Sequence, residues 1–166
     1  MLGWQYILTL CVPKDVIVRQ FQSSPVSSLM RWIPTVVLAL MGLINLGRGA
    51  IHAFTADGGA HSIAGLDLST NRDAILSLFA TLGLTQMAKG VFELYVVARR
   101  RDLLALFLAM QTLDTLLAVA NLYLWRPLPV TVPGQPFNLV LLFVQVVALA
   151  LALRSSPSSP AAQAAT

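Results

Sequence analysis

The chain is poor in the residues from which most catalytic and metal centres are built. Its 166 residues include one cysteine, Cys11, and two histidines, His52 and His61. A lone cysteine excludes an intramolecular disulfide and any Cys-based metal or redox motif. The two histidines and Asp57 lack the compact spacing of a metal site, so no metal ligands are assigned. Without a GxxxxGK[ST] pattern, DGGA at 57–60 reads as a turn rather than a phosphate cradle. No Ser–His–Asp or Cys–His arrangement can be assembled, and no catalytic residue is assigned. Charge is scarce as well: Asp, Glu, Lys and Arg make up 11% of the chain, against about 25% in soluble domains.

What is present is mostly apolar. Such residues make up 57% of the sequence, and the mean hydropathy is +0.75. That is the composition of a small integral membrane protein. Four stretches approach the ~20 apolar residues that a bilayer crossing needs: residues 33–54, 73–98, 103–124 and 137–153. The loop TADGGAHSIAGLDLSTNR separates the first pair. WRPLPVTVPGQP, with four prolines, forbids a continuous helix between the last pair. Ser69, Thr70 and Asn71 are expected to cap the second helix, with Asp73 meeting the positive end of its dipole. Trp32, Tyr123 and Trp125 fall at membrane borders, where amphipathic rings collect. The fold class is therefore all-α: an integral membrane four-helix bundle, up-down-up-down, over residues 30–154.

The flanks differ. MLGWQYILTLCV is too short to span and lacks the positive lead of a secretory signal. Residues 1–29 have two readings, a surface-lying anchor or an extension ahead of a true start at Met30. SSPSSPAAQAAT, residues 155–166, is low-complexity and expected to be disordered.

The net charge of +4 is unevenly placed. With four spans, Lys14, Arg19, Arg31, Arg99, Arg100, Arg101 and Arg154 share one side of the membrane. The other side has Arg72 and Arg126 beside Asp57, Asp67 and Asp73. Seven basic residues against two put both termini in the cytoplasm by the positive-inside rule. The basic residues thus read as a topology signal and a contact for anionic headgroups, and nucleic acid is not a partner.

A polar stripe runs through these spans. Asn45, Arg48 and His52 occupy one face of the first. Gly83, Gln86, Gly90 and Glu93 share a face of the second, with Lys89 at its edge. Gln111, Asp114 and Asn121 lie within one face of the third, and Gln145 is in the fourth. A charge at a helix centre costs about 2.5–3.5 kcal/mol, and each large aliphatic residue returns about 0.3–0.6 kcal/mol. The second span, with eleven Leu, Ile, Phe and Val residues, is marginal alone and needs partners for its charges. At 1.5 Å per residue Arg48 lies about 22 Å deep, Asp114 about 17 Å and Lys89 about 14 Å. Asp114 is therefore expected between Arg48 and Lys89, Glu93 tied to Lys89, and the amides filling the remaining hydrogen bonds. Gly42, Gly83 and Gly90 would let the helices approach.

Residues 30–154 resemble the DoxX-like group of small bacterial four-helix membrane proteins. The resemblance rests on GRGAIHAF at the end of the first helix, GLDL in the outer loop and LGLTQMAKGVFEL in the second helix. It implies a four-helix bundle in the bacterial cytoplasmic membrane. A few members of that group are membrane subunits of quinone-linked oxidoreductases, and no cofactor-binding residue transfers from them.

Three functions compete. In the first, a polar cavity binds or passes a small solute, proton or quinone headgroup, alone or with other membrane subunits. Its residues would be Asn45, Arg48, His52, Gln86, Lys89, Glu93, Gln111, Asp114 and Asn121, with Asp114 the central titratable group and Glu93 a cytoplasmic relay. Ionisable groups within a bilayer favour this reading. In the second, the buried charges fix helix packing in a non-catalytic scaffold. The third, a stand-alone membrane enzyme, lacks a nucleophile or a metal set.

Overall fold

A computed structural model describes residues 25–127, 132 and 134–155. The expected N-terminal extension up to residue 24 and the tail from residue 156 lie outside the described residues. Within them the chain is helical, and four helices are long and apolar enough to cross a membrane.

Helix α1 (Pro25–Phe54) begins eight residues before the expected span, with Pro25 at its first position. Proline suits that position because its ring presets a helical φ and its missing N–H would have no intrahelical partner there. Helix α2 (Arg72–Arg99) keeps Asp73 in its first turn and Arg99 in its last, as its dipole favours. Its N-terminus is not capped as expected. Asn71 is left-handed, at φ 56°, and its side chain makes no cap bond. Ser69 instead gives both its N–H and its hydroxyl to Asp67.

Arg100 leaves helical geometry, and Arg101–Leu103 form a 3₁₀ turn into α3 (Leu104–Ala120). Arg100 grips Asp102 through two hydrogen bonds of 2.8 and 3.0 Å. The Arg101 guanidinium lies 5.0 Å from the Trp32 ring centre. That cation–π contact sets the start of the apolar part of α1 beside the α2–α3 turn. Helix α3 runs on into a π-helical turn, Asn121–Trp125, and α4 spans Gly134–Ser155. Pro136 is tolerated because it lies in the first turn of α4.

Helices α1 and α2 form the tightest pair, followed by α3 and α4. α1 also touches α3 and α4, whereas α2 meets α3 only slightly. Lipid offers apolar side chains no incentive to leave it, so close helix pairs rely on small residues and van der Waals contact. Here a Cβ added at Gly49 would stand 2.5 Å from the Gly83 carbonyl oxygen, and one at Gly90 would stand 2.7 Å from that of Gly42. The pairs 42–90 and 49–83 have numbers running in opposite senses along the two backbones. Near the α2–α3 turn the bundle is filled by Val37, Leu38, Met41, Val96, Leu108, Ala148 and Ala152.

Candidate functional site

Next to that apolar core lies a buried polar layer. Asn45, Glu93 and Gln111, one from each of α1, α2 and α3, are 5%, 1% and 2% exposed. The Asn45 amide donates to Glu93 Oε2 at 2.8 Å and to Gln111 Oε1 at 3.3 Å. Gln111 donates in turn to the Thr115 hydroxyl at 3.3 Å, and that hydroxyl donates to the Gln111 carbonyl at 3.0 Å. Buried polar groups are stable when so partnered. Glu93 therefore rests on a neutral amide, not on Lys89 as the helical i, i+4 spacing suggested. Gln145 is fully buried, its Nε2 3.3 Å from Met41 Sδ, while the side-chain oxygens of Gln86, Gln135 and Gln145 have no hydrogen-bond partner among the described residues.

The charges part company. Lys89 pairs with Asp114, as expected, but at the edge of the bundle: the Asp114 side chain is 63% exposed and that of Lys89 26%. Arg48 does not join them. Its Nη1 donates to Asn138 Oδ1 on α4 at 3.5 Å. Asp114 is thus held by one cation rather than two. The expectation rested on depth along each helix, and depth carries no azimuth: Asp114 meets α2 through Lys89, while Arg48 reaches α4. Asn121 is exposed in the π-helical turn, apart from His52.

A pocket of about 490 Å³ opens in the half of the bundle away from the α2–α3 turn. Its size lies within the ~300–1,000 Å³ range of small-molecule sites. Arg48, His52, Phe79, Leu82 and Phe137 line it together with the loop residues Gly59 and Ile63. Among the described residues Arg48 and His52 are its two polar side chains, and the other walls are apolar or glycine. His52 Nδ1 lies 2.7 Å from the Gly58 carbonyl oxygen, so that nitrogen carries a proton and donates. Nε2 is then the ring atom left for a ligand. The imidazole and the Phe79 ring lie 5.3 Å apart at 82°, a favourable T-shaped contact.

The loop that roofs the pocket is held by Asp57. Its carboxylate accepts from the Ser62 N–H at 2.7 Å and the Gly59 N–H at 3.0 Å. These bonds, Ser62 first, hold its pKa down at about 2. Gly58 and Gly59 both have positive φ, 59° and 74°, a conformation that side chains with a Cβ rarely adopt. DGGA is thus a turn. His61 bonds to the Leu66 carbonyl at 3.2 Å within the same loop. Among the described residues no three His, Cys, Asp or Glu side chains gather where a metal could sit.

Of the expected site residues, Arg48 and His52 share the pocket and Asn45, Glu93 and Gln111 share the buried layer. Gln86 is half-buried on α2, while Lys89, Asp114 and Asn121 lie outside both groups. Sequence reasoning missed Asn138, Gly49, Phe79 and the loop walls. Gly49 had a signal: it stands seven residues after Gly42, as Gly90 does after Gly83. Comparison with known protein families, with curated proteins and with solved structures returns no match.

Proposed function

We propose that this chain is a multi-pass protein of the bacterial cytoplasmic membrane, DoxX-like in architecture, whose outer pocket binds a small amphipathic solute. In this reading the bundle runs up-down-up-down with both termini in the cytoplasm. The observation that carries it is an apolar pocket with one guanidinium and one imidazole on its wall. Arg48 has five N–H donors, and its one hydrogen bond among the described residues is the long one to Asn138. It suits a ligand with an apolar body and an acceptor oxygen, such as a carbonyl; a quinone headgroup meets that description. His52 Nε2 would take a hydroxyl donor from the reduced form of such a ligand. The protein acts as a binding module, alone or as a subunit of a larger membrane complex, and no catalytic step is assigned to it.

A scaffold role has one observation in its favour: the Asn45–Glu93–Gln111 layer is buried and tied across three helices, as packing glue would be. The two readings separate in lipid nanodiscs titrated with a short-chain ubiquinone. A binding module gains thermal stability saturably with ligand. Arg48→Gln weakens binding about tenfold or more, as loss of a charge-assisted hydrogen bond of ~1.5–3 kcal/mol would. Leu82→Trp, which fills the pocket, abolishes it. No saturable shift, or equal binding by all three proteins, rejects the quinone-type ligand.

A further inference from the structure

The Lys89–Asp114 pair is unaccounted for by the pocket, and its position is anomalous. Counting from the ends of the Arg101–Trp125 span, Asp114 lies about 20 Å from one end and about 16 Å from the other. This is the middle of the hydrocarbon layer, yet most of the carboxylate is uncovered. A carboxylate has about four acceptor sites and an ammonium three donors. The contact among the described residues uses one of each, and lipid tails can satisfy none of the others. Exposed ionisable groups at such depth normally turn toward protein or a water-filled cavity.

The seam around the pair is shaped for contact. α2 and α3 barely touch, and the exposed residues near the pair include small ones, Thr85 and Ala88 on α2 and Ala118 on α3, beside the larger Phe92, Met110 and Leu117. The Thr85 hydroxyl is returned to its own helix, donating to the Thr81 carbonyl at 2.9 Å, so its methyl can be presented outward. Small residues of this kind permit close approach of membrane helices.

We propose that the α2–α3 seam is a homodimer interface in which Lys89 and Asp114 of one copy engage Asp114 and Lys89 of the other. The symmetry supplies the complement. Lys89 and Asp114 sit side by side at one depth, so rotation by 180° about the membrane normal sets each cation opposite an anion. Such an isologous contact needs no partner of different sequence. It converts two lipid-exposed ion pairs into one enclosed four-charge ring. The surface is separate from the pocket, so dimer formation and ligand binding can fail independently.

The test uses the full chain in lipid nanodiscs and two differently tagged variants. Lys89→Asp leaves two anions in the seam and Asp114→Lys leaves two cations. Each alone is expected to be monomeric, whereas co-expressed they copurify as a one-to-one pair. Ala88→Cys in a Cys11→Ser background keeps the ion pair intact and so tests the interface even where a charge-reversed variant fails to insert. It should form a reducible band near twice the 17.9 kDa of one chain, while Ala150→Cys on α4 should not. A monomeric parent protein without the Ala88→Cys band overturns the proposal. So does crosslinking of that position to a different protein instead of to a second copy.

Discussion

Asp57 anchors the roof of the pocket from the loop between the first two candidate spans. Its two backbone hydrogen bonds stabilise the ionised form, which is why its folded value is about 2 against an ordinary 3.8. A depressed folded pKa means that the contribution to loop stability is complete above the ordinary value. It is lost as pH falls through the folded one. The Ser62 and Gly59 amide resonances should therefore titrate with a midpoint near about 2, and Asp57→Asn should abolish that titration. A midpoint near 3.8 would show that the carboxylate is not held by those amides. At this scale the sequence was informative about residue type and poor about partners. That 45, 93 and 111 would be buried polar positions followed from their helical faces. That Asn45 would serve Glu93, leaving Lys89 to Asp114, depends on how far each helix is rotated about its axis, which spacing within one helix does not specify. Asn138 escaped notice although it lies inside the expected fourth span, because its importance comes from Arg48 reaching it across the bundle, and spacing along one helix does not reveal a partner on another.

At the scale of the element, the existence and order of the four helices were legible because a bilayer crossing demands length and apolarity, and both can be counted. The ends were less so. α1 extends back to Pro25 and α4 starts three residues early, since helix continues past the hydrocarbon wherever the backbone can still bond to itself. How α1 and α2 hold together turns on glycine, and here the structure discriminates between neighbours. A Cβ at Gly49 would meet the Gly83 oxygen, the Met87 side chain and the Met87 nitrogen at 2.5, 2.6 and 3.0 Å, whereas one at Gly47 meets nothing within 4 Å. Carbonyl and amide atoms of a neighbouring helix cannot rotate aside as a side chain can. Gly49→Ala must therefore push the helices apart, with a loss of about 1–3 kcal/mol typical of overpacking. Gly47→Ala should stay within about 0.5 kcal/mol of the parent, as surface substitutions usually do. Reversible unfolding in mixed micelles measures both, and equal losses would dismiss the glycine seam as the basis of the α1–α2 pair.

For the whole molecule the open question is direction, which the helices themselves do not decide. The Trp32–Arg101 contact groups the start of the first span with the α2–α3 turn, and the 57–66 loop gathers with Gly134 and Phe137 around the pocket. Each end of the bundle thus has a distinct charge: Arg99, Arg100 and Arg101 at one, Asp57 and Asp67 at the other. Lys and Arg in short loops resist translocation, whereas acidic residues contribute little. The arginine end should face the cytoplasm and the pocket should open toward the outer leaflet. In a Cys11→Ser background, Ser62→Cys and Asp102→Cys report the two ends, both at exposed positions. A membrane-impermeant maleimide applied to intact spheroplasts should label Ser62→Cys and reach Asp102→Cys only after permeabilisation. The opposite pattern would place the pocket on the cytoplasmic side, where its ligand would have to come from the inner leaflet or the cytosol. Labelling of both positions without permeabilisation would mean that α2 does not cross. The pocket would then lose its membrane wall, because Phe79 and Leu82 both belong to that helix.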